Sequence, residues 1–221
     1  MMLETLKNRP KSPLEPMDRI SEILFALIMV LTFTCSFSVA GAGRENVRTL
    51  LIGAMGCNLA WGIIDAIFYL MGSFSMLGQG ILRLKALTGA ASPTEAHQIM
   101  AGALPPVLVS VLSPADLEQI REKLNRVSGL PARPHLRKED WLGALGVFLI
   151  VVLTTLPVLV PFAVIENARR ALRLSNGIAI VMLFMTGYAF GRHAGYSPVK
   201  MGLSMVILGS VLVAITILLG G

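Results

Sequence analysis

The sequence predicts an all-α membrane protein. Five transmembrane helices are expected, N-terminus inside and C-terminus outside, with a small cytoplasmic helical insert between helices 2 and 3. Three observations carry this. Hydrophobic residues make up 54% of the chain and charged residues 14%, for a mean hydropathy of +0.71, outside the range of soluble domains. The 19 basic and 13 acidic residues fall in clusters separated by uncharged runs, long enough to cross a ~30 Å hydrocarbon core at about 1.5 Å per residue. Those runs are continuous rather than alternating, which argues against an outer-membrane barrel.

Residues 1–17 are expected to form a polar cytoplasmic tail with Lys7, Arg9 and Lys11, and no removable signal peptide is evident. Residues 18–82 hold the first two spans: Ile23 to Gly43, uncharged, and a longer one from Thr49 toward Leu82 whose single charge is Asp65. Its far end is expected to continue into the cytoplasm as helix. Residues 83–138 form the cytoplasmic insert and residues 139–221 the last three spans. These run from Trp141 to Ile165, interrupted by Pro157 and Pro161, from Leu174 to Gly191, and from Met201 to Gly221. With the N-terminus inside, the outer segments hold only Arg44, Arg48, Arg169, Arg170 and Arg173, and every other Lys and Arg is cytoplasmic. The positive-inside rule selects that orientation. The basic net charge of +6 therefore reads as topology, and nucleic acid is not an expected partner.

Within the insert, Ser92-Pro93-Thr94-Glu95 and Ser113-Pro114-Ala115-Asp116 both read as helix starts, with Ser as N-cap, Pro at the first helical position and an acid at the third. Pro105-Pro106 breaks the first of these helices. The apolar positions Val107, Leu108, Val111 and Leu112, then Leu117, Ile120, Leu124 and Val127, suggest a helical packet lying against the membrane or a partner copy. Residues 131–134, Pro131 to Pro134, read as a linker back to the third span.

Asp65 is the sharpest chemical feature, because a carboxylate inside a span costs roughly 2.5 to 3.5 kcal/mol on insertion scales and needs a partner, a cavity or a proton. Helical periodicity puts Asn58, Asp65 and Tyr69 on about one face, a set suited to cation transport or proton coupling. The alternative is an Asp held between helices for packing specificity. A second stripe, Asp18, Glu22, Met29, Thr32 and Ser36, follows one face of the first helix. Glu22, Met29 and Asp65 together offer oxygen and thioether donors to a borderline transition-metal ion, whereas ordinary span and helix-start chemistry also accounts for the stripe. Gly187, Gly191 and Gly195 predict close helix approach. Glu166, Arg169 and Arg170 read as a solvated turn, and His97 and His135 have no second His or Cys at zinc spacing. Neither a phosphate-binding loop nor a catalytic triad is present, so the chain is not expected to be an enzyme or to carry a resident cofactor.

The runs Leu156-Pro157-Val158-Leu159-Val160-Pro161-Phe162, Leu183-Phe184, Gly187-Tyr188-Ala189-Phe190-Gly191 and Gly195-Tyr196-Ser197-Pro198 resemble the vacuolar iron transporter family. Val39-Ala40-Gly41-Ala42-Gly43 and Ala60-Trp61-Gly62-Ile63-Ile64 are similar to its first two spans. The resemblance implies a five-span divalent transition-metal transporter for iron or manganese, coupled to protons, in a homodimer whose first spans line the path. The sequence departs from the family where that transport is done. The family's first-span acid falls at Leu27-Ile28 or Val30-Leu31, its second-span Glu at Asn58 and its methionine near Ala66, and the insert is poor in glutamates. A second reading is therefore a non-transporting scaffold or accessory subunit that retains the fold. The expected location is the bacterial inner membrane as a multi-pass protein, with membrane lipid and a second copy of the chain as partners.

Overall fold

The computed structural model describes residues 16–39, 44–126 and 133–218. Its helices, in chain order, are α1 (Pro16–Val39), α2 (Arg44–Thr88), α3 (Pro93–Ala103), α4 (Pro106–Val111), α5 (Pro114–Asn125), α6 (Lys138–Val164), α7 (Ala168–Ala194) and α8 (Pro198–Leu218). No strand occurs among the described residues. Among the described residues, four stretches are long and apolar enough to cross a membrane: Leu51–Thr88, Lys138–Val164, Ala168–Ala194 and Pro198–Ile215. The first expected span lies in α1, whose 24 residues reach about 36 Å. At 45 residues α2 is about 68 Å long, so only part of it fits a hydrocarbon core.

Two compact units divide the chain, one drawn from Ser12–Tyr69 with Trp141–Gly221, the other from Leu70–Asp140. In the first, α1, α2, α6, α7 and α8 all contribute to one apolar core around Leu27, Val30, Leu31, Ala54, Val158, Leu183 and Val213. The residues at the family's first-span acid positions are part of it: Leu27 is fully buried and Val30 2% exposed. An ionised side chain there would have no water and no partner charge.

Pro157 and Pro161 do not interrupt their span, because α6 runs through both. Each removes one ladder donor, which leaves the carbonyls of Leu153 and Pro157 without their usual i+4 partner. Unwinding the helix would free several more backbone groups in an apolar setting, a larger penalty than two lost bonds. Nearby hydroxyls add bonds to the same stretch: Ser175 Oγ donates to the Val158 carbonyl at 2.7 Å and Thr155 Oγ1 to the Val152 carbonyl at 2.9 Å.

The glycines of α7 divide into two roles. A Cβ on Gly187 would meet the Met201 carbonyl oxygen at 2.6 Å and Gly202 Cα at 2.9 Å, and one on Gly191 would meet Pro198 Cα at 2.8 Å. Both let α7 and α8 pack backbone to backbone. Gly195 departs from the expected packing pattern. It caps α7 in the left-handed region at φ 73°, and nothing lies near its missing Cβ. Arg169 and Arg170 belong to the first turn of α7 rather than to a turn between spans, since Asn167 caps the helix by accepting from the Arg170 amide.

In the second unit both Ser-Pro starts form as expected. Ser92 accepts from the Glu95 amide, and Ser113 and Asp116 make a reciprocal capping box. Leu87, Ala96, Met100 and Leu117 form the unit's core, with Leu112, Ile120 and Leu124 packed on it. Val107 and Val111 on α4 stay 73% and 78% exposed instead of joining that core. Val127 and residues 131–132 of the expected linker lie outside the described residues. His97 ties α3 to α5 through Glu118 at 3.1 Å. Glu118 is also bonded by Arg121, and Arg121 and then His97 hold its carboxyl below the ordinary range.

Candidate functional site

α1 and α2 run antiparallel where they meet. Phe25 and Trp61 pack edge to face across the contact, ring centroids 5.4 Å apart at 71°. One turn toward the start of α1, the Glu22 and Asp65 carboxyl groups face each other at interaction range. Moving the other way in the same register brings Met29 to the level of Asn58, about 10 Å along the helices from the carboxyl pair.

Two acceptor oxygens on this face of α2 are buried with no hydrogen-bond partner among the described residues: Asp65 Oδ2 and Asn58 Oδ1. An unmet buried acceptor costs on the order of 1 to 3 kcal/mol, so each calls for a donor or a cation. Asn58, 1% exposed, is fixed from the other side. Its Nδ2 donates to Thr155 Oγ1 of α6, whose hydroxyl is already committed to the Val152 carbonyl. The amide oxygen on the same side chain has no partner among the described residues.

The sequence placed Asp65 inside its span, with Asn58 and Tyr69 on the same face of its helix and Glu22 and Met29 of the first helix as further donors. The structure sets it opposite Glu22, near the start of α1. Tyr69, one turn farther along α2, lays its ring on Gly143 of α6. Of the suggested donors Glu22, Met29 and Asp65, the two acids come together, while Met29 stands two helical turns away at the Asn58 level. No cluster of three or more His, Cys, Asp or Glu suited to a metal occurs among the described residues. The site is thus a stepped series, a carboxyl pair and then, two turns on, an amide oxygen at the level of a thioether, rather than a closed cage. Thr155 was not singled out beforehand, and its one visible signal is a hydroxyl two residues before a proline inside an apolar span.

Chemically, a hydrogen bond between two carboxyl groups requires a proton on one of them, because ionised carboxylates only accept. A divalent cation can take the place of that proton, since the four oxygens then surround it and the pair is neutralised.

Four membrane-length helices, with a polar series set between two helices of the bundle, define an integral, multi-pass membrane protein. The model of the VIT family matches residues 112–221, which hold α5 to α8. The chain belongs to the vacuolar iron transporter family. The family's general activity is metal-ion transport, and its members are transporters rather than enzymes. No curated protein matches the chain. The family match does not extend to α1 and α2, so the carboxyl pair stands on its own geometry.

Proposed function

We propose that this chain moves a divalent transition-metal cation of the iron or manganese kind in exchange for protons, and that Glu22 and Asp65 are the exchange site. The observation that carries this reading is the meeting of the two carboxyl groups across α1 and α2, with Asp65 Oδ2 buried and without a partner among the described residues. A pair holding one proton has one negative charge. Entry of a divalent cation releases that proton and leaves a neutral complex, which keeps the electrostatic penalty of burial low. Departure of the cation lets the pair take a proton back. Asn58 Oδ1 supplies the next acceptor about 10 Å on, with the Met29 thioether at its level as a softer donor. The five-span, N-in and C-out arrangement, the homodimer with its first spans along the path, and a bacterial inner membrane complete the reading.

The apolar burial of Leu27 and Val30 favours a second reading, a scaffold or accessory subunit that keeps the fold without transport. Flux of Fe2+, Mn2+ and Co2+ into proteoliposomes under an imposed proton gradient decides between them. Uptake above empty liposomes that rises with the gradient supports exchange. Background flux for all three ions would sink it in favour of the scaffold.

A further inference from the structure

We propose that the corner where α6 meets α7 is a binding site for an anionic phospholipid, its phosphate held by Arg169, Arg170 and Arg173 and an acyl chain lying in the notch at Gly177. All three arginines are exposed, and at 100° per residue they fall within about 100° of arc on α7. Ala171, on the opposite side of the helix, is fully buried against Phe162. The arginine arc therefore points away from the bundle.

Two considerations make this cluster costly without an anion. It occupies the first two turns of α7, where the helix dipole disfavours cations. Glu166 is the one carboxylate between Trp141 and Ala194, so neutralising one arginine still leaves two positive charges.

What favours a lipid over a free anion is the surface that continues from the arginines along the helix. Nothing lies within 4 Å of the Cβ that Gly177 lacks. Ile180 and Val181, the next turn on, are 44% and 58% exposed. Guanidinium groups above an apolar, notched strip match a phosphate headgroup above its acyl chain, and arginine is the side chain best suited to bind phosphate oxygens in pairs. This assignment is independent of what the protein transports.

The test is lipid retention by the full-length protein in nanodiscs made from mixed phosphatidylcholine and phosphatidylglycerol, read by native mass spectrometry. Enrichment of bound phosphatidylglycerol over the bulk ratio is expected. The triple variant Arg169→Gln, Arg170→Gln, Arg173→Gln should lose that enrichment by at least about tenfold, and the matching triple Lys variant, which keeps the charge but not the paired hydrogen bonds, should lose less. A wild type with no preference, or a Gln variant that folds and retains it, would overturn the site. Should the triple Gln variant not fold, Arg173→Gln decides in its place, with reduced enrichment supporting the site and unchanged enrichment overturning it. Displacement of the lipid by millimolar inorganic phosphate would also overturn it, assigning the arginines to a free anion instead.

Discussion

The carboxyl groups of Glu22 and Asp65 meet between α1 and α2, and a hydrogen bond between them requires that one of them hold a proton. Asp65→Asn removes that proton site but keeps a donor for Glu22, so the variant should fold and melt within about 1 kcal/mol of wild type. Under the exchange reading, its metal uptake should fall toward the empty-liposome background and lose its dependence on the proton gradient. Glu22→Gln should behave alike. Wild-type flux and pH dependence in both variants would remove the pair from the transport path.

Asn58 separates the two levels of the proposed path. Asn58→Leu keeps the volume and discards both the bond to Thr155 and the unmet Oδ1. Interhelical polar contacts in membranes average about 0.6 kcal/mol, and loss of an unmet acceptor offsets part of that, so thermal stability should barely move. Flux should fall because the step beyond the carboxyl pair then has no oxygen on α2. Normal transport by the Asn58→Leu variant would assign Asn58 to packing.

The contrast between what could and could not be read from the chain follows from the range of the interactions. The caps at Ser92 and Ser113 and the passage of four apolar runs into helices depend on residues within a turn or on composition, so they were legible. The Glu22–Asp65 pair depends on the register between two helices. Periodicity showed each residue on a face of its own helix and nothing of which level met which. Pro157 and Pro161 looked like breaks because local rules penalise them, whereas the apolar surroundings of α6 make unwinding worse. Gly195 shared a spacing with Gly187 and Gly191, yet its position at the helix end gave it a conformational task instead of a packing one.

For the insert, Ser113→Ala removes the hydroxyl that caps α5 and should cost that helix about 1 kcal/mol, read as faster amide exchange over Pro114–Asn125. Asp116 is held below its ordinary 3.8 by hydrogen bonds from the Ser113 side chain and backbone. A carboxyl with a depressed folded value contributes stability above its unfolded value and loses it as pH falls through the folded one. Exchange in α5 should therefore accelerate only below about pH 4.

Topology is tested by placing single cysteines in a cysteine-free background and labelling intact cells. Positions 10 and 110 should react only from the cytoplasm, and position 168 and the C-terminus only from outside. Labelling of both termini from one side would overturn the five-span arrangement.

The packing of α7 on α8 gives a prediction that does not depend on transport at all. A methyl group at Gly187 would press on the Met201 carbonyl oxygen and on Gly202 Cα, both backbone atoms that no rotamer change can move. The two helices must separate, and overpacking of this kind typically costs about 1 to 3 kcal/mol. Gly53→Ala is the control, since nothing lies within 4 Å of its Cβ and it sits exposed in α2. Removing a helix-interior glycine there should be neutral or stabilise by up to about 1 kcal/mol. Thermal melts of the two purified variants in one detergent should thus move apart, Gly187→Ala downward and Gly53→Ala unchanged or upward. Equal melts would show that α7 and α8 do not meet at Gly187 as closely as their backbones indicate.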